Sequence, residues 1–229
     1  MHIELKEITF KHHKTTSPVF ENVSHRIRGP GFHALFGPSG VGKTTLAKII
    51  ADEVRYAGHV AGNRIERILY TYNLERLPNW SSIRMILSNV TPTEKKDALS
   101  DIVDTFGLGP VMGSRYSQLS LGQQNRANLT RYLVQDYDML IMDESLANVD
   151  EKTKEAIILK IKNRLSEKLF LYISHNVAEV SKFCKEIFVL RRPEKRPRIV
   201  SLPGFDYTGE EKPDPSALNR IMLEIMNAL

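Results

Sequence analysis

The spacing of apolar positions changes several times along the chain, and each change marks a different kind of element. Ile3, Leu5, Ile8 and Phe10 alternate with polar neighbours as a strand does, and the phase slip between Leu5 and Ile8 predicts a bend or bulge. Residues 11–18 are polar and read as a loop. Val23 to Ile27 reads as a second strand, Gly29-Pro30-Gly31 as a turn, and Phe32 to Phe36 as a third strand. Leu46 to Val54 follows with helical spacing. Gly58 to Asn63 reads as a turn, and Ile65 to Tyr72 as a returning strand. Strand patterns then give way to helical ones until about Leu119. The clearest helix starts at Thr91-Pro92-Thr93-Glu94, a cap followed by proline, carries Leu99, Ile102, Val103 and Phe106 on one face, and ends at Gly107. Met139 to Met142 is wholly apolar, as strands buried in parallel sheets are. A helix with Ile157, Ile161 and Leu165, a strand Leu169 to Ile173, a helix Val177 to Lys185 and a strand Ile187 to Leu190 come next. This alternation predicts a parallel α/β sheet. Pro215 to Leu229 places Leu218, Ile221, Met222, Ile225 and Leu229 on one helical face, expected to pack on the chain's own core.

Chemistry enters at residues 37–45, Gly-Pro-Ser-Gly-Val-Gly-Lys-Thr-Thr, which fill G-x-x-x-x-G-K-[ST] between a predicted strand and a predicted helix. That context reads as a nucleoside-triphosphate cradle. Backbone N–H groups from Gly37, Pro38, Ser39, Gly40, Val41 and Gly42 onward wrap the phosphates, less the one that proline lacks. The helix beginning near Thr44 and Thr45 adds its positive end. Lys43 supplies a compact positive charge and Thr44 a hard oxygen for Mg²⁺.

Composition narrows the class without naming the task. The chain has 229 residues, 41% hydrophobic and 26% charged, enough for one substantial core and near the globular average. No apolar run reaches the roughly 18 to 20 residues of a membrane span. The N-terminal residues lack a basic and apolar leader pattern, so a cytoplasmic location is expected. The single cysteine, Cys184, excludes an internal disulfide and is expected to be a buried thiol. A net charge of +5 is mild, and much of it lies at Arg191, Arg192, Lys195, Arg196 and Arg198, expected to form a solvated turn or hairpin.

Two later stretches add to the phosphate loop. The apolar strand Met139 to Met142 ends in Asp143 and Glu144. Asp143, at the end of its strand where ligands gather, can hold Mg²⁺, and Glu144 can act as general base on a water. Leu119-Ser120-Leu121-Gly122-Gln123 precedes a helix whose N-terminus offers a second anion site.

That last motif resembles the L-S-G-G-Q signature of ATP-binding cassette (ABC) ATPases, with Leu121 in place of the first glycine. Residues from about Ile3 to Ile199 resemble that family, including Ser145 to Asp150 after the glutamate and Ser174-His175-Asn176 after a strand. The resemblance implies a P-loop NTPase with ABC-type architecture: a mostly parallel core sheet, an N-terminal antiparallel β subdomain and an inserted helical subdomain. Within a single domain, 1–72 and 120–229 would form the core, 73–119 the helical subdomain, and 205–229 a C-terminal tail and amphipathic helix. It further implies a head-to-tail homodimer on ATP binding, in which Ser120, Leu121, Gly122, Gln123 and Asp150 of one copy face the ATP and Mg²⁺ held by the other. Glu144, His175 and Lys43 would be catalytic, His12 would stack on the base, and Thr44, Asp143 and Asn73 would serve the metal. Leu121 would be strained if its position required positive φ.

Arg76-Leu77-Pro78-Asn79-Trp80 resembles a segment of the nitrate, sulfonate, taurine and thiamine-precursor uptake branch. The function implied is ATP hydrolysis driving solute uptake through separate membrane permease subunits, with a solute-binding protein engaged indirectly. The protein would then sit peripherally on the inner face of the cell membrane, with no nucleic acid as partner. A non-transport cassette acting on nucleic acid, or a regulatory ATP-binding module, is the alternative.

Overall fold

A computed structural model describes residues 1–13, 17–72, 75, 77–210 and 213–229. They form two units, one of Met1–Tyr70, Asp138–Asp143 and Ser166–Leu229, the other of Thr71–Tyr137 and Glu144–Leu165.

The first unit is built on two sheets. Strands β1 (His2–Phe10) and β2 (Phe20–Arg28) precede β3 (Gly31–Phe36) and helix α1 (Lys43–Ile50), which lead to β4 (Ala57–Asn63) and β5 (Ile68–Thr71). The small sheet has order β2-β1-β4 and both of its pairings are antiparallel. The bulge expected in β1 is present: the register shifts between Leu5 and Ile8, and Glu7 takes φ 53°. Residues 58–63, expected to turn, instead belong to edge strand β4, paired with β1 from His2↔Asn63 to Thr9↔Ala57. A Cβ on Gly58 would stand 2.6 Å from the carbonyl oxygens of Lys6 and Glu7, so its glycine marks a close backbone approach in a sheet.

The larger sheet adds β6 (Met139–Asp143), β7 (Leu169–Ile173), β8 (Glu186–Leu190) and β9 (Ile199–Pro203) in the order β5-β6-β7-β3-β8-β9. β6, β7, β3 and β8 are parallel neighbours and β9 runs antiparallel to β8. Every residue of β6 and β7 is buried, which explains their unbroken apolar sequences. The core joins Leu35, Leu46, Ile49, Ile141, Leu171 and Phe188 to Ile3, Leu5 and Ile8 of the small sheet. Because β6, β7 and β3 lie side by side in parallel, the segments after all three emerge at one edge: Asp143, Ser174-His175 and the phosphate loop.

The helix of residues 177–183, called α6 below, follows β7 and is capped by the Asn176 side chain. The last helix, α7 (Pro215–Ala228), is capped by Asp214 and packs on α6 and β9, as its apolar face predicts. Ile225 is its buried anchor, while Leu223 and Met226 are exposed. Cys184 is a buried thiol that forms no disulfide.

The second unit is helical: α2 (Ile83–Val90), α3 (Lys96–Thr105), α4 (Leu121–Leu133) and α5 (Glu151–Arg164). Thr91 does not start a helix as expected. It closes α2, donating its hydroxyl to the Leu87 carbonyl at 2.7 Å, and α3 begins only after a 3₁₀ turn at Thr93–Lys95. Gly107 does end α3, at φ 60°. Lys160 of α5 donates to the Asp101 carboxylate of α3 at 2.5 Å. Trp80 and Met85 are exposed, at 79% and 56%.

Candidate functional site

In the first unit, the loop after β3 leads into α1 through Gly42, which stands at the helix N-cap with φ 108°. The first-turn N–H groups of α1 have no carbonyl one turn back, and no acidic side chain stands in that turn. Ser39, Gly40 and Thr44 are exposed, whereas Lys43 is buried to 6%. Its ammonium donates to the carbonyls of Gly37 at 2.8 Å and Pro38 at 2.9 Å, bridging the loop.

Thr44 Oγ1 donates to Asp143 Oδ2 at 2.8 Å. The same carboxylate oxygen accepts from the buried Tyr70 hydroxyl at 2.5 Å. Two hard oxygens, a hydroxyl and a carboxylate, thus meet beside the phosphate loop. That donor set suits Mg²⁺, which takes one or two protein oxygens and completes its shell with water and phosphate. Behind the loop, Arg198 is 5% exposed and donates to the carbonyls of Val41 at 2.9 Å and Val19 at 3.3 Å. The basic hairpin was expected to be solvated; this member is buried because the loop's inward carbonyls need a donor.

His175 is exposed at the end of β7. The backbone around it is anchored by Glu179, whose carboxylate accepts from Ser174 at 3.0 Å and Tyr172 at 2.8 Å. Burial, with the Glu179 charge beside it, holds the Tyr172 phenol well above its ordinary pKa, so it remains a donor.

The second unit carries the signature stretch. Ser120 caps α4: its hydroxyl accepts from Gln123 N at 3.3 Å, and the Gln123 side chain accepts from Ser120 N at 2.9 Å. Leu121 is the first helical residue and is 51% exposed. It is not among the positive-φ residues, so the strain considered for a leucine here does not arise. The intolerant position is its neighbour: a Cβ on Gly122 would lie 2.4 Å from the Asn148 carbonyl oxygen. Asn125 of the same helix donates to the Ala147 carbonyl at 2.5 Å. Helix α4 and the loop 144–149 are therefore fastened together. At the start of that loop Glu144 takes φ 51°, a left-handed conformation that costs a non-glycine residue about 1–2 kcal/mol. Asp150 at the loop's end caps α5, accepting from Thr153 N at 2.9 Å, and that backbone bond holds its carboxyl below the usual range.

Among the expected site residues, Lys43, Thr44 and Asp143 come together, and Ser120, Leu121, Gly122, Gln123, Glu144 and Asp150 share the second unit. His12 is exposed after β1, its ring edge-on to Phe10 at 4.9 Å. Asn73 lies outside the described residues. Tyr70, Arg198 and Asn125 carry supporting roles that no motif announced.

Comparison with known proteins bears on the family and the fold. The family described as ABC transporter matches residues 20–147, more than half of the chain. A molybdenum import ATP-binding protein ModC of Mesorhizobium japonicum is 33% identical over 69% of this chain, and the match spans about half, 48%, of that relative's length. An aliphatic sulfonates import ATP-binding protein SsuB 1 of Paracoccus denitrificans is 29% identical over 76% of this chain and 74% of its own. Among solved structures, a dimeric ATP-binding cassette in a post-hydrolysis state bound to ADP and Pi superposes with a TM-score of 0.72. It is 22% identical and covers 89% of this chain and 100% of its own, a likeness of fold. With the phosphate loop, the strand-end carboxylate and the capped signature helix in place, the chain belongs to the ABC transporter family.

Proposed function

We propose that the chain is the ATP-binding and hydrolysing subunit of an importer, working as a head-to-tail homodimer and driving a separate membrane permease. The observation that carries the reading is the 2.8 Å contact between Thr44 and Asp143, which unites the phosphate loop with the strand-end carboxylate. Lys43, bridging two loop carbonyls, transfers its ammonium to the terminal phosphates when nucleotide enters. Thr44 and Asp143 hold Mg²⁺, which when bound neutralises phosphate charge. Glu144, next in the chain after Asp143, accepts the proton of the attacking water, and His175 orients that water. Ser120 and the N-terminus of α4 supply anion contacts to the nucleotide of the opposing copy.

Import is favoured by the relatives that work in molybdenum and sulfonate import. Exposed Trp80 and Met85 of the second unit give a permease an apolar surface to seat on. Among the described residues no helix is long and apolar enough to cross a membrane, so membrane attachment would run through that permease. Leu121 is helical, so backbone strain at that position gives no support to the alternative of a regulatory ATP-binding module. The test is Glu144→Gln. The variant should bind ATP and accumulate as a dimer while turnover falls by about 10²–10⁴-fold, the general-base range. Unchanged turnover would remove Glu144 from its role.

A further inference from the structure

A buried positive charge stands behind the phosphate loop without a counter-ion. Arg198 is 5% exposed, and among the described residues its guanidinium meets no carboxylate. Nη2 donates to the carbonyls of Val41 at 2.9 Å and Val19 at 3.3 Å, while Nη1 has no acceptor. The guanidinium also lies over the Phe20 ring, 5.5 Å from its centroid. Burial, and then the Arg196 charge, press its pKa down more than Glu194 offsets, yet arginine stays protonated in proteins. A charge taken out of water with no opposite charge beside it is strongly unfavourable unless something else in its surroundings compensates.

The hairpin that carries Arg198, between β8 and β9, is fastened to both ends of the loop. At one end a Cβ on Gly37 would stand 2.4 Å from the Leu190 carbonyl oxygen, so the loop lies directly on the root of the hairpin. At the other end Arg198 grips Val41, and its own carbonyl accepts from Arg191 N at 3.0 Å, which closes the hairpin beneath. Gly42 rests on the same support: a Cβ there would stand 2.8 Å from Val19 and 3.0 Å from Phe20. The peptide joining Val41 to Gly42 is planar and trans, so its C=O and N–H point in opposite directions. With the Val41 oxygen held on Arg198, the Gly42 N–H points away from it, and that N–H has no acceptor among the described residues.

We propose that Arg198 is a positioning residue for nucleotide, given the ATP-binding reading of the loop on which this rests. It holds the Val41–Gly42 peptide with its N–H turned to the phosphates and sets a fixed positive charge behind that peptide. Phosphates then supply the acceptor that the amide lacks and the counter-charge that the guanidinium lacks, across a buried peptide where charges interact more strongly than in water. Ground-state and transition-state phosphates share this contact, so its loss falls on KM and not on kcat.

The experiment measures ADP affinity by calorimetry, and KM and kcat of ATP hydrolysis, on the full chain. Arg198→Met removes donor and charge at similar length and should weaken ADP binding and raise KM at least about 10-fold, the range for one hydrogen bond to a charged group, with kcat within about 3-fold. Both bonds come from the single nitrogen Nη2, so an ammonium can make them, and Arg198→Lys should keep ADP affinity within about 3-fold of the unsubstituted chain. Arg192→Met removes a charge from the exposed part of the same hairpin and should change neither quantity. In the unsubstituted protein, saturating ADP should move the Gly42 amide proton downfield in NMR, as a bond to an anionic acceptor does. A smaller loss in Arg198→Met, an equal loss in Arg198→Lys or Arg192→Met, a fall in kcat without a rise in KM, or an unmoved Gly42 amide overturns the proposal. The amide measurement needs no variant and holds even if one misfolds. An unsubstituted chain that bound no ADP would instead overturn the ATP-binding reading, a result distinct from tight ADP binding that is indifferent to Arg198.

Discussion

Gly122→Ala separates two reasons for a glycine in the signature helix. The added Cβ would sit 2.4 Å from the Asn148 carbonyl oxygen and 3.4 Å from its carbon. Ordinary contact needs about 1 Å more, and the obstacle is backbone, which has no rotamer to change. Overpacking of this kind costs about 3 kcal/mol at the upper end. Alanine returns about 1 kcal/mol of helix propensity, leaving a net loss of about 2 kcal/mol. For a chain of this size that is a fall of about 4–8 °C in Tm. The loop pushed aside begins at Glu144, and misplacement by about 1 Å costs on the order of 10²-fold in turnover. The assay pairs nucleotide-free thermal unfolding with ATPase rate. Gly113→Ala is the control, because its Cβ would meet nothing within 4 Å. If Gly122 mattered only for room beside a phosphate, Tm without nucleotide would not change, and that result would refute the intrachain explanation.

Other outcomes follow from single contacts. Asn125→Ala leaves the partly buried Ala147 carbonyl without its donor and should destabilise by about 1 kcal/mol in urea unfolding. Tyr70→Phe frees one side of Asp143 and should raise the Mg²⁺ needed for half-maximal ATPase activity about 10–100-fold, with ATP binding in the absence of metal unchanged. His33 is held at about 4 in the fold against an ordinary 6.5, so the unfolded chain binds more protons between those values. Its contribution is complete above pH 6.5 and is lost as pH falls toward 4, at up to about 1.4 kcal/mol per pH unit. His33→Phe should flatten that slope in denaturant titrations; an unchanged slope would mean that His33 keeps its ordinary pKa.

Continuous apolar runs and loop motifs made the core sheet and phosphate loop legible, because β6 and β7 are buried along their full length, β3 is buried from Phe32 to Phe36, and nothing competes with that pattern. Ser120 and Gln123 likewise form the capping pair their spacing announces. Edge strand β4 was opaque: Gly58 serves a backbone approach to β1 and Gly62 one to Ile65, and in sequence such glycines are indistinguishable from those of a turn. Thr91 misled for a related reason, since a hydroxyl can serve either end of a helix and Leu87 lay one turn behind. Arg198 was hidden because its partners, Val41 and Val19, are distant in sequence and bonded through backbone carbonyls. Tyr70 escaped because one phenol in an apolar strand has no motif.

The left-handed backbone at Glu144 gives relaxed selection a direction. Glycine and asparagine occupy that conformation with less strain, so replacing the glutamate discards the proposed base and relieves the chain in one step. Lineages in which one cassette of a pair no longer hydrolyses ATP should drift toward those residues at this position and gain stability as they do. An inactive relative that keeps glutamate there is, on this reasoning, a recent loss or one whose carboxylate has acquired other work.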